Sequence, residues 1–139
     1  MKTKNTEKNI LFFLTPKSEV EYLEEDSSIR QAIERMEYHN YTCIPILSMD
    51  GKYIRSVSDG DILRYIKKYD LNLEKCEDHL VVQVDQIREI CAIHINKKMV
   101  DLLDMVVNQN FVPVLDDMDN FIGIITRKHI IEYLGSEIK

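Results

Sequence analysis

Thr126, Arg127, Lys128 and His129, in the stretch "GIITRKHIIEYL", place a hydroxyl, two cations and an imidazole together where an apolar-periodic segment begins. If that segment is a helix, its first N–H groups lack intrahelical acceptors and carry partial positive charge. Arg127 and Lys128 then stand where the macrodipole disfavours cations by about 0.3–1 kcal/mol. A bound anion would remove the conflict, because a hydroxyl, free N–H groups and two cations suit one or two phosphates. Side chains that simply point into solvent are the alternative. Upstream, "RSVSDGDILRYI" sets Ser58 and Asp61 at the same spacing. A carboxylate one turn into a helix can accept two hydroxyl hydrogen bonds, as from a ribose. The same "SDGD" is equally an acidic, well-capped helix start that needs no ligand. His129 stands where Asp61 stands in that earlier stretch, and a neutral imidazole offers only one acceptor.

These two chemistries belong to two copies of one unit. "PILSMDGKYIRSVSDGDILRYI" (45–66) aligns without a gap on "PVLDDMDNFIGIITRKHIIEYL" (113–134), with Pro45/Pro113, Leu47/Leu115, Ile54/Ile122, Ile62/Ile130 and Tyr65/Tyr133 identical. In each copy an apolar run, a turn rich in Asp, Gly or Asn, and a second apolar run predict a β-hairpin. Ser58 or Thr126 follows as N-cap. Ile62, Leu63 and Ile66, and again Ile130, Ile131 and Leu134, predict the apolar face of a helix. Upstream, Ile29, Ala32, Ile33 and Met36 follow Ser27 and Ser28 at helical spacing; Met99, Leu102, Leu103 and Val106 do so after Asn96, the expected cap. "VEYL" (20–23) and "AIHI" (92–95) are short strand candidates. Each copy therefore reads strand, helix, strand, strand, helix. A three-stranded unit of roughly 50 residues leaves an apolar sheet face, which pairing two copies would bury.

The predicted organisation is a loose polar arm over 1–9, a first motif over 10–69, a linker with a short helix near Leu73–Asp78 over 70–89, and a second motif over 90–139. Composition agrees with one globular module: 139 residues, 45% apolar and 30% charged. A net charge of −6 argues against a general nucleic-acid binder. The "ILFFL" run after Lys2, Lys4 and Lys8 is too short for a signal segment, and no run reaches the ~18 residues of a membrane span. Cys43, Cys76 and Cys91 form no C-x-x-C pair, which predicts neither a disulfide framework nor a zinc site and fits a reduced, cytoplasmic setting.

The chain resembles the CBS-domain pair, or Bateman module, most specifically in "YTCIPILSMDGKYIRSVSDGDIL" and "NFVPVLDDMDNFIGIITRKHII". The opening "FFLTPKSEVEYL" is similar to the start of the family's first motif. The resemblance spans about residues 12–135 and implies an α+β fold of two tandem CBS motifs packed with pseudo-two-fold symmetry. It also implies a regulatory ligand-binding unit rather than an enzyme, sensing AMP, ADP, ATP, cyclic di-AMP or S-adenosylmethionine. Small stand-alone CBS proteins of Gram-positive bacteria, some of which bind cyclic di-AMP, are particularly similar. A homodimer and an unknown effector protein are the implied partners, with an adenine nucleotide as regulatory ligand and no cofactor.

In the family a site joins the last-helix start of one motif to strand edges of the other. Carried over, Thr126, Arg127, Lys128 and His129 would face Val20, Glu21, Thr42, Cys43, Ile44 and Pro45. Backbone at Val20 and Glu21 would read the adenine edge, small Thr42 and Cys43 would leave room for the base, and Ile44 and Pro45 would form an apolar wall. A weaker second site pairs Ser58 and Asp61 with Ile93, Asn110, Phe111 and Val112; Phe111 could stack on a base or pack in the core. Two positions depart from the family: Arg55 replaces the usual Gly and would crowd the first copy, and His129 replaces the usual Asp. Those departures support a rival expectation, a ligand-independent dimeric scaffold. Cys43 reads as a small buried residue rather than a nucleophile. His39, His79 and His94 lack metal-ligand spacing.

Overall fold

The computed structural model describes residues 8–138. Most of the arm expected over 1–9 lies outside them. Of its last two residues, Lys8 holds its ammonium 4.4 Å from the Phe12 ring centroid, and the Asn9 side chain accepts from the Leu11 N–H to cap a 3-10 turn over Ile10–Phe13.

Two compact units divide the chain. One comprises Glu21–Glu89 and the other Met1–Val20 together with Ile90–Lys139. Each holds one α+β repeat. In the Glu21–Glu89 unit, strand β2 (Leu23–Glu24) leads through helix α1 (Ile29–His39) to β3 (Cys43–Leu47), β4 (Tyr53–Ser58) and α2 (Asp59–Tyr69). The four-residue helix α3 (Leu73–Cys76) and a 3-10 turn at Val81–Gln83 complete it. The other unit runs from β1 (Thr15–Pro16) to β5 (Ile93–His94), α4 (Met99–Val106), β6 (Phe111–Leu115), β7 (Phe121–Thr126) and α5 (Arg127–Ile138).

The sheets reproduce one another in detail. Cys43 pairs with Ser58 and Ile44 with Val57; Phe111 pairs with Thr126 and Val112 with Ile125. Each hairpin carries a register shift at the same place, Ile46/Leu47 in one and Val114/Leu115 in the other. At the turns Gly51 has φ 88° and its counterpart Asp119 φ 66°. β2 and β5 are parallel to the strand that follows their helix, as a strand–helix–strand crossover requires.

The helix starts follow the expected chemistry except one. The Ser28 hydroxyl accepts from the Gln31 N–H at 3.0 Å, and Gln31 reciprocates at the Ser28 N–H. The residue opening α4 is Lys98, not Asn96: the Asp101 carboxylate accepts from the Lys98 N–H at 3.1 Å. The apolar faces are narrower than the spacing suggests. Ile62 and Ile130 are buried, whereas Leu63 and Ile131 are each 58% exposed. Ile29, Ala32, Met36, Ile44, Ile46, Val57 and Ile62 form the centre of one core; Phe13, Leu102, Val112, Val114, Ile125 and Ile130 form the centre of the other.

The repeat as read along the chain is not the unit as packed. Residues 10–20 were expected to open the first motif, yet Thr15 and Pro16 pair antiparallel with Ile124 and Gly123 of β7. Gly123 makes this possible: with φ +154°, an added Cβ would sit 2.2 Å from the Thr15 carbonyl oxygen. Its counterpart is Arg55, which uses a side chain for the same purpose. The Arg55 guanidinium donates to the carbonyls of Val81, Val82 and Val84, fixing the 3-10 turn against β4. Arg55 is thus a structural clamp.

Candidate functional site

Both helix starts are built as N-caps. The Thr126 hydroxyl accepts from the His129 N–H at 3.1 Å, and the Ser58 hydroxyl accepts from the Asp61 N–H at 3.1 Å. The strand before each is tied at the same point. The Arg127 N–H donates to the Asn110 carbonyl at 2.8 Å, and the Asp59 N–H to the Thr42 carbonyl at 2.9 Å. Asn110 and Phe111 therefore flank the α5 start as Thr42 and Cys43 flank the α2 start.

The two cations of α5 part company. Arg127 donates through Nε to the Val106 carbonyl at 2.7 Å and through Nη2 to the Val107 carbonyl at 3.4 Å. Those carbonyls end α4, where the dipole is negative and unpaired C=O groups need donors. The cation awkward for its own helix is well placed for its neighbour. Lys128 is exposed, and among the described residues its ammonium meets no hydrogen-bond or ion-pair partner. The His129 ring meets Phe13 edge to face, with centroids 5.8 Å apart.

The strand residues divide by depth. Ile44, Val112 and Ile93 are buried side chains of their own cores, so they can offer a ligand backbone groups only. An apolar wall at Ile44 is thereby corrected; its side chain points into the packing under β3. Pro45 and Phe111 are buried as well. Val20 is buried, and its N–H closes a 3-10 turn onto the Lys17 carbonyl at 3.1 Å. The Glu21 carboxylate lies 3.3 Å from His39 Nε2. Thr42 is exposed and Cys43 half-buried. The Cys43 thiol is pushed from 9.0 up to about 12, by burial first and then by the Asp61 carboxylate. A thiol held protonated is no nucleophile.

Asp61 is the most enclosed polar group of the set. Its side chain is 6% exposed. One oxygen accepts from Arg64 Nη2 at 2.7 Å and from the Ile87 N–H at 3.2 Å; the other accepts from the Ser58 N–H at 3.2 Å. Nothing in the spacing of "SDGD" points to the Ile87 contact, which depends on how the linker returns.

The remaining histidines have local partners. His79 Nδ1 lies 2.9 Å from the Tyr65 hydroxyl, and His94 Nε2 2.6 Å from an Asp119 oxygen. Among the described residues no cluster of three or more His, Cys, Asp or Glu is arranged to hold a metal ion.

The residues expected at the two sites divide between the units. Val20, Ile93, Asn110, Phe111, Val112 and Thr126–His129 belong to one; Glu21, Thr42–Pro45, Ser58 and Asp61 belong to the other. Two α+β repeats, each with a hydroxyl-capped helix beside a proline-containing strand, define a tandem module. The CBS domain profile matches residues 12–68 and 84–136, and the chain belongs to the CBS-domain family. Among curated proteins it is homologous to cyclic di-AMP receptor B of Bacillus subtilis (strain 168), 25% identical over 131 residues that cover 91% of this chain and 86% of that protein. The fold matches the crystal structure of CbpB in complex with c-di-AMP at a TM-score of 0.86, with 22% identity over 96% of this chain and 88% of that one. It also matches CBSX2 in complex with AMP at 0.75, with 18% identity over 94% and 98%.

Proposed function

We propose that this protein is a regulatory module that binds an adenine nucleotide, cyclic di-AMP foremost, and acts by binding rather than turnover. The observation that carries this reading is the relation to a cyclic di-AMP receptor along nearly the whole of both chains. The α5 start supports it: the Thr126 hydroxyl, the helix N-terminus and the exposed Lys128 offer a phosphate what it needs. Thr42 and Cys43, small and incompletely buried, suit the neighbourhood of a base. The main site is accordingly Thr126, Lys128 and His129 with the backbone at Val20, Glu21 and Thr42–Pro45, and Arg127 serves it by holding α4. The module works in the cytoplasm as a homodimer, and ligand shifts its population toward the form an effector protein recognises. Among the described residues no helix is long and apolar enough to cross a membrane. Calorimetry with cyclic di-AMP, AMP, ADP and ATP tests the reading. Tightest binding of cyclic di-AMP is expected, and no heat with any of the four at millimolar concentration would overturn it.

The commitment of Arg55 to the linker carbonyls and of Asp61 to its own surroundings favours a second reading, a ligand-independent scaffold. It predicts capture of an effector with an affinity that no nucleotide changes.

A further inference from the structure

The first copy keeps the acidic residue that the second has lost, and that residue has already been used. Asp61 is the only carboxylate among the described residues that is buried. Its three donors are Arg64, the Ile87 N–H and the Ser58 N–H, and they engage both oxygens. Arg64 is half-exposed and its side chain can move, so the ion pair is the less fixed of these contacts. The backbone contacts are different. Ile87 lies two residues before the chain leaves the Glu21–Glu89 unit, and its neighbour Gln86 donates through Nε2 to the Ser56 carbonyl at 3.0 Å. Asp61 and Ser56 thus hold the departing segment against β4 and α2 at two points. The cavity left beside Asp61, lined by Arg64, Tyr65, Lys68, Asp85 and Ile87, measures about 190 Å³. Pockets that take small-molecule ligands measure roughly 300–1,000 Å³.

We infer that Asp61 is a tether for the segment 85–89 and not a ribose ligand, so that the chain takes one nucleotide, at the Thr126 helix start. This rests on the nucleotide-binding reading for its stoichiometry but not for the tether. The two copies have diverged in role: one helix start binds, and the other fastens the crossing between units.

Two measurements on the full chain test it. Amide hydrogen exchange without ligand should show the Ile87 N–H protected at least tenfold over its unstructured rate, and protection should be lost in Asp61→Ala. Exchange at the unstructured rate in the wild type would overturn the tether whether or not any nucleotide binds. If Asp61→Ala fails to fold, Asp61→Asn keeps an acceptor for Ile87 and should retain partial protection; full wild-type protection in it together with a lost nucleotide would overturn the assignment. Titration with cyclic di-AMP should saturate at one molecule per chain, with Ile87 protection unchanged at saturation. Two per chain, or loss of Ile87 protection on binding, would show that ribose competes for Asp61 and would also overturn it. A chain that binds no nucleotide but protects Ile87 would refute the sensor reading and leave the tether standing.

Discussion

Arg127 and Lys128 look alike in the sequence and do different work. Arg127 caps the end of α4 through two carbonyls, so Arg127→Ala should lower stability by about 1.5–3 kcal/mol, the range for hydrogen bonds to charged groups, as read by urea unfolding. Lys128→Ala should leave stability unchanged and weaken cyclic di-AMP by about 1 kcal/mol, roughly fivefold, as read by calorimetry. The opposite pattern would mean that Arg127 is the phosphate ligand. Thr126 and Ser58 were legible as caps because the N-cap preference is local. The partners of Arg127 and Asp61 were not, because Val106 and Ile87 reach them only through tertiary folding. Cys43 yields a pH prediction. Its folded-state value, near 12, lies above the ordinary 9.0, so the folded protein holds that proton after the unfolded chain has released it. Burial raises the Cys76 thiol and the Tyr65 phenol in the same direction. The contribution of Cys43 to stability should be constant below about pH 9 and be lost as pH rises from there toward 12. At pH 8, iodoacetamide should label exposed Cys91 and spare Cys43; equal labelling of both would contradict the thiol's assigned environment.

At the scale of elements, the repeat predicted the hairpins, the order of strands and helices, and the positions at which the two copies match. Internal similarity reports structure well when both copies have kept the same hairpin register. What it concealed was which sheet the lead-in strand joins. β1 precedes the first motif in the chain but pairs with β7 of the second, a choice that only Gly123 betrays. The Gly123/Arg55 difference reads as a lost consensus position in the sequence; in the structure it is two ways of holding the segment that flanks a sheet. Gly123→Ala should therefore drive a Cβ into the Thr15 carbonyl and destabilise the protein by about 3 kcal/mol, visible as a fall in melting temperature. A change below about 0.5 kcal/mol would mean that β1 detaches at little cost. Asn96 is a good cap by type, but at the α4 start the bond is made by the Asp101 carboxylate reaching back to Lys98.

At the scale of the molecule, the proposed homodimer has a candidate face. A groove of about 480 Å³ between α1 and α2 is lined by Ile33, Met36, Tyr41, Ile62, Leu63 and Ile66. The helical spacing assigned Leu63 and Ile131 to the core, and their equal exposure at matching positions is the clearest sign that those helix faces serve something else. Asp59 and Lys67 lie two turns apart along α2, flanking Leu63, and both are exposed. Two copies of α2 running antiparallel would set each acid against the other's base, as in an isologous contact. Leu63→Glu should therefore give a monomer by light scattering; an unchanged oligomeric state would move the interface elsewhere. A crystal structure of the protein grown with cyclic di-AMP would show whether the ligand seats at the α5 start. A phosphate oxygen is expected within hydrogen-bond distance of the Thr126 hydroxyl, with the Lys128 ammonium beside it. Ligand seated at Ser58 and Asp61 instead, or crystals without ligand at saturating concentration, would contradict it.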